Sequence, residues 1–362
     1  MPRVFAPGDV LPGGYAIEGQ LGRGGHSIIY AARDTSDGKA VAVKVLDAEH
    51  LTEDARMRFV REASIHRKLT SDHIARVIDA YDLEMTEVRP QEGAGRLVFL
   101  AMERLSGEPA NKRLERDGPQ PVERAISWIL DACEALAEAH AAGVVHRDIK
   151  PANLFLVRGP DRPSMVKLLD FGIARLRDGE GITGGRLTTS TTVFGSPAYI
   201  APEQLLSSHK ADARADIYGL GATLFELVTG QVPFPAANLA DMTANIIRDP
   251  PRSAHAIRPE VPLSLDRVIL KCLAKNPAER FQNVEELRDA LLQVLVDPRD
   301  APKTVFQSKP PPAAVAHARQ DRRDRTRRTE RRRRHVELAL STFAAMMLVL
   351  LVGAAIYLLV NR

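Results

Sequence analysis

The chain has 362 residues, with 24 Gly, 24 Pro and 2 Cys, and is 44% hydrophobic and 27% charged. These fractions exclude a disordered, collagen-like or fibrous chain, and the length has room for about two to three domains. The net charge of +4 is unevenly placed: residues 319–335 hold 10 Arg against Asp321, Asp324 and Glu330, a net of +7, which leaves −3 for residues 1–318. Two cysteines cannot build a disulfide framework, and neither has closely paired metal ligands. Cys133 falls in an apolar stripe with Ile126, Ile129, Leu130 and Leu136, and Cys272 lies beside Leu265, Val268 and Ile269, so both read as core thiols.

Residues 1–14 read as an N-terminal extension. A first strand, about Tyr15–Leu21, runs into Gly22, Arg23, Gly24, Gly25, His26 and Ser27. Glycines there let a backbone approach a phosphate closely. The turn departs from G-x-G-x-x-G at Ser27, lacks a P-loop lysine, and no helix follows it. Residues 39–46 form a Val-rich strand in which Ala42 and Lys44 share a face, and a lysine on an apolar face needs an anion. The candidates are a nucleotide phosphate and Glu62, which shares a helical face over 52–70 with Ala55, Phe59, Ala63 and His66. Asp82–Arg96 reads as an insertion between strands, 96–103 as a strand, and 122–142 as a helix.

After that helix come His146, Arg147, Asp148, Ile149, Lys150, Pro151, Ala152 and Asn153, a charged loop that leads into the apolar run Leu154–Val157. Seventeen residues beyond Asn153 stand Asp170, Phe171 and Gly172. The segment from Asp170 closes at Ala201, Pro202 and Glu203, and carries the unbroken hydroxyl run Thr188, Thr189, Ser190, Thr191 and Thr192. Asp216 and Gly219 open a helix over 216–229, and further helices are expected over 264–275 and 283–296. Strands first and helices later predict a small sheet-rich lobe followed by a larger helical one.

Residues 293–318 read as a linker, Pro/Ala-rich from 297 onward, and 319–337 as a basic juxtamembrane segment. Residues 338–360 are 23 residues without a charge, long enough for a transmembrane helix. Arginines on its N-terminal side place the preceding chain in the cytoplasm and the C-terminus outside. A single-pass protein of the cell membrane is expected, with residues 319–335 against anionic lipids and no role in nucleic-acid binding.

Taken together and in order, these motifs resemble a eukaryotic-type (Hanks-type) protein kinase catalytic domain over about 15–292. HRDIKPAN and DFGIA are most similar to the bacterial Ser/Thr kinases. The resemblance implies an α+β bilobal kinase fold, with an N-lobe of about 15–103 and a C-lobe of about 104–292, and transfer of phosphate from ATP to Ser/Thr of protein substrates. By the same resemblance, Gly22–Ser27 cover the phosphates, Lys44 holds the α- and β-phosphates and is oriented by Glu62, and Asn153 and Asp170 bind Mg²⁺, with Mn²⁺ as a substitute. Asp148 accepts the hydroxyl proton and Lys150 steadies the γ-phosphate. Leu21, Ile29, Ala42 and Phe155 enclose the adenine, Met102 stands at the back, and the backbone near Glu103 and Leu105 bonds its edge. Arg280 is the expected partner of Glu203. Arg147 is the expected receiver of a phosphate on residues 188–192, added between self-associating copies. A pseudokinase scaffold is opposed by the full charged set, and a small-molecule phosphotransferase by the segment ending at Glu203.

Overall fold

In the computed structural model of the protein the described residues are 4–23, 27–47, 52–84, 96–158, 165–170, 197–206 and 211–296. An antiparallel six-stranded sheet comes first: β1 (Val10–Leu11), β2 (Tyr15–Arg23), β3 (Ser27–Asp34), β4 (Ala40–Leu46), β5 (Val77–Glu84) and β6 (Arg96–Glu103), in the order β1-β2-β3-β4-β6-β5. Helix α1 (Glu53–His66) interrupts it between β4 and β5. The two-residue period of a strand gives the sheet two apolar faces. Val41, Val43 and Val45 point to one, with Tyr15, Tyr30, Phe99 and the Phe5 side chain. Leu46, Val98 and Leu100 point to the other, against Phe59 and Ala63 of α1.

The second lobe is helical around a small sheet. It comprises β7 (Gly107–Pro109), α2 (Ala110–Asp117), α3 (Val122–Ala141), β8 (Leu154–Val157), β9 (Met165–Leu168), α4 (Pro202–Leu206), α5 (Arg214–Thr229), α6 (Leu239–Arg248), α7 (Ala254–Ile257), α8 (Leu263–Cys272) and α9 (Val284–Val296). Its core gathers the stripe of α3, with Ile126, Ile129, Cys133 and Leu136 almost wholly excluded from solvent, against α5 and α8. Both cysteines are free and buried, and burial pushes their thiols above the ordinary range. Helix α5 is buried over nearly its whole length. Its Gly219 lets it reach the loop before β8, because an added Cβ would stand 2.9 Å from the Ile149 Cβ.

Several expected boundaries shift. The helix expected over 52–70 ends at His66. The segment read as an insertion from Asp82 to Arg96 is strand at both ends, since β5 runs to Glu84 and β6 begins at Arg96. Three carboxylates in VIDAYDLE hide that strand from a pattern reading, but each has a cationic partner elsewhere: Asp79 in Arg67, Asp82 in Arg56 and Arg96, and Glu84 in Arg96. The N-terminal extension is anchored by the buried side chains of Phe5 and Leu11. The Phe5 N–H donates to the Tyr30 hydroxyl at 3.0 Å, and β1 adds an edge strand to β2. Among the described residues no helix is long and apolar enough to cross a membrane, and the run 338–360 lies outside them.

The second lobe is locked by one buried guanidinium. Arg280 forms a fork with Glu203, both bonds 2.7 Å, and its other N–H groups donate to the carbonyls of Ala274, Arg214 and Lys275. All five donors are used, and the plane lies 5.0 Å from the Tyr218 ring centre. Arg280→Ala strands the Glu203 carboxylate and is expected to cost about 3–5 kcal/mol. Arg280→Lys recovers only part, because an ammonium cannot serve five acceptors. Denaturant midpoints check this, and an unshifted midpoint for Arg280→Ala would contradict the assignment.

Candidate active site

Three elements converge on one cleft. Strand β4 supplies Lys44, which lies in register with Ile29 of β3 and Leu100 of β6. The lysine is only 6% exposed, and its Nζ lies 2.7 Å from Asp170 Oδ1, just beyond β9. A buried ammonium is tolerable only with such a partner. The sequence offered a phosphate or Glu62 as that partner; the structure supplies Asp170, while the Glu62 side chain lies outside the described residues. Burial pushes the Asp170 carboxyl up, but the charge and hydrogen bond of Lys44, with His146 and Lys150 beyond, more than offset this and hold it below the ordinary carboxylate range. Asp170 has φ of 61°, a left-handed conformation that non-glycine residues adopt at a cost of order 1–3 kcal/mol and that surrounding contacts must enforce.

The loop between α3 and β8 supplies the rest. Lys150 Nζ lies 2.9 and 2.7 Å from the two oxygens of Asp148. Asn153 Nδ2 donates to the Asp148 backbone carbonyl at 2.7 Å and to its Oδ2 at 3.0 Å. The loop is shaped from below by Asp216, in the first turn of α5 and 1% exposed. Its carboxylate accepts the backbone N–H groups of His146 at 2.8 Å and Arg147 at 2.6 Å, and bonds His140 Nε2 at 2.8 Å. Pinning two successive N–H groups turns Arg147 to φ of 66° and so aims Asp148 into the cleft. The Asp148 N–H lies 3.3 Å from His146 Nδ1, and the other ring nitrogen, Nε2, lies 2.8 Å from the Leu169 carbonyl oxygen. No sequence motif singles out His140. Only its place six residues before His146 hinted otherwise, and the structure makes it a third hand on Asp216.

Above the loop, Ala42 of β4 pairs with Ala31 and Met102 of its neighbours. Ile29, Met102, Leu105 and Phe155 are half-buried and Leu21 is exposed. Gly22 and Arg23 end β2 and Ser27 opens β3, while Gly24, Gly25 and His26 lie outside the described residues. So do Phe171 and residues 188–192. The donor set suits a hard cation: Asp170 offers carboxylate oxygens, and Asn153, with Nδ2 engaged, offers Oδ1. Two protein oxygens are what Mg²⁺ usually takes, its remaining positions going to water and phosphate.

This fold and constellation are those of a protein kinase. The family model for the protein kinase domain matches residues 15–292, and the chain belongs to that family. Its kinase domain is of the Hanks type found in the bacterial PknB proteins. It is 36% identical over 295 residues to the serine/threonine-protein kinase PknB of Mycobacterium leprae, covering 80% of this chain and 44% of that one. It is 37% identical to the serine/threonine-protein kinase Pkn1 of Myxococcus xanthus, over 79% of this chain and 39% of the other. The chain thus spans less than half the length of these relatives. Among solved structures it resembles the PknI kinase domain of Mycobacterium tuberculosis, with a TM-score of 0.62 and 27% identity over 80% of this chain and 99% of that one.

His66, at the end of α1, gives the site's support a pH dependence. Burial, with a smaller contribution from His146, pulls its imidazole down to about 4 from an ordinary 6.5. Between these values the unfolded chain binds a proton that the folded chain refuses, so stability rises with pH across the window and is lost as pH falls through it. The contribution is on the order of 3 kcal/mol. Unfolding midpoints from pH 7 to pH 4 are expected to fall more steeply for the native protein than for His66→Gln, and parallel curves would count against this.

Proposed function

We propose that the chain is a serine/threonine protein kinase that transfers the γ-phosphoryl group of ATP to Ser or Thr hydroxyls of proteins. The observation that carries the reading is the convergence of Lys44, Asp170, Asp148, Lys150 and Asn153 on one cleft. Asp148 orients the hydroxyl and takes its proton as the oxygen bonds the γ-phosphorus and the bond to ADP breaks. Lys150, now resting on Asp148, is placed to meet the transferred group, and Lys44 to hold the α- and β-phosphates with Glu62 behind it. Asn153 and Asp170 would hold Mg²⁺, which neutralises charge between the β- and γ-phosphates. The turn Gly22–Ser27 covers the phosphates, and the adenine lies among Leu21, Ile29, Ala42, Met102 and Phe155 against the backbone of Glu103 and Leu105. Positioning and electrostatics supply most of the rate in such a site.

Activation by phosphorylation at one or more of residues 188–192 follows from the hydroxyl run and from Arg147, beside Asp148, as a charge-assisted receiver. Asp148→Asn keeps the shape but removes the proton acceptor, and Asp170→Asn weakens the metal site. Each is expected to lower kcat by on the order of 100- to 10,000-fold. The assay uses labelled ATP and a generic protein substrate, and mass spectrometry of the same preparations is expected to find phosphate in residues 188–192 of the active protein alone. Equal rates for native and Asp148→Asn protein would sink the catalytic assignment.

The domain over about 15–292 is further proposed to hang on a single-pass membrane helix, residues 338–360, through the linker 293–318 and the basic segment 319–337. Support comes from the uncharged 23-residue run and the +7 stretch before it. The kinase domain then lies in the cytoplasm, with residues 319–335 against anionic lipids. Deleting 338–362 is expected to release active protein from the membrane fraction, and inside-out vesicles to expose the kinase domain to added protease. Retention of the truncated protein, or protection of the domain, would overturn this topology.

A further inference from the structure

Strand β6 ends at Glu103, whose side chain has no part in the scheme above, yet it is among the most engaged groups around the cleft. The Glu103 N–H donates to the Arg76 carbonyl at 2.9 Å, and its Oε1 accepts the Arg76 N–H at 2.8 Å. The same Oε1 accepts Lys167 Nζ at 2.7 Å. Lys167 sits on β9, opposite Phe155 of β8 and three residues before Asp170. Its side chain is 13% exposed, and Nζ also reaches the Ile74 carbonyl at 3.3 Å. Val166 and Leu168 are the strand's buried apolar residues, so the fold of β9 does not depend on a lysine between them. The next residue, Arg104, pairs in the other direction: Nη1 lies 2.6 Å from Glu18 Oε2 on β2, and Glu18 also takes Arg33. The segment joining the lobes is therefore gripped from both sides, by β2 through Arg104 and by β9 through Glu103.

We propose that Lys167 is a positioning residue for the nucleotide. Through Glu103 it ties the backbone at the adenine edge to the strand that delivers the metal-binding Asp170. The base site and the metal site are thereby held at a set spacing before the nucleotide arrives, and binding both ends at once needs no reorganisation. The inference rests on the kinase reading and adds a residue that reading does not use. A half-buried ion pair joining two strands can do this where a surface pair cannot, because its geometry is held by three further hydrogen bonds.

The test uses the full chain with Lys167→Met and Lys167→Arg. For Lys167→Met the KM for ATP is expected to rise roughly three- to tenfold, the lower part of the range for coupled charged neighbours, with kcat little changed. The factor by which Mg²⁺ tightens ADP binding is expected to shrink likewise. Lys167→Arg, which can still reach Glu103, is expected to restore both. An unchanged KM and Mg²⁺ factor, a kcat that drops in step with the melting temperature, or a kcat that rises because the pair restrains the enzyme would each overturn the proposal. The ADP-binding arm reads out whether or not transfer is observed. Native protein that binds no ADP defeats the kinase reading itself, whereas native binding with an indifferent Lys167→Met defeats only the clamp.

Discussion

The cleft depends on one buried carboxylate. Asp216 stands in the first turn of α5, almost without solvent, and accepts two consecutive backbone N–H groups and an imidazole. Burying a carboxylate is costly unless its oxygens are satisfied, and here three donors meet them. The arrangement also works in reverse. A loop that must present Asp148, Lys150 and Asn153 from irregular backbone needs its own N–H groups satisfied, and Asp216 supplies the acceptors. The helix that carries Asp216 is fixed in turn by its apolar surroundings and by the close approach that Gly219 permits.

Charge is handled differently at the working face of the cleft. There the charged groups are paired one to one, and of them only Lys44 is buried. Lys44 and Asp170 hold each other at 2.7 Å, and Lys150 rests on Asp148. The Lys44–Asp170 pair keeps a buried ammonium stable, and under the proposed function the partners in both pairs part around phosphate and metal. Arg280 and Glu203 are the contrast: all five guanidinium donors are taken, an aromatic ring lies alongside, and nothing is left over for a ligand. The count of spare hydrogen-bonding capacity separates the cleft pairs from this permanent lock.

Much of the fold was legible because period and punctuation agree. The strand over 40–46 and the helix over 122–141 carry clean patterns, and both lie within a residue or so of expectation. Elements were missed where polar residues on an element are satisfied by distant ones. Strand β5 carries Asp79, Asp82 and Glu84, and α2 reads ANKRLERD with Ala110 its one fully buried residue. Neither shows a core-facing stripe long enough to recognise. The N-terminal residues looked like an extension because prolines and glycines dominate them, while Phe5, a single anchoring ring, decides their packing.

The sequence by itself determined the family, the order of the lobes and the identity of the charged groups, because those groups cluster in short motifs whose spacing is local. Only the tertiary structure decided which charges meet. Lys44 and Asp170 are 126 positions apart, His140 and Asp216 are 76, and Glu103 and Lys167 are 64. No periodicity reaches across such separations. Whether a lysine faces water, a phosphate or a particular carboxylate is settled by how sheet and helices pack, since burial is what makes a partner obligatory.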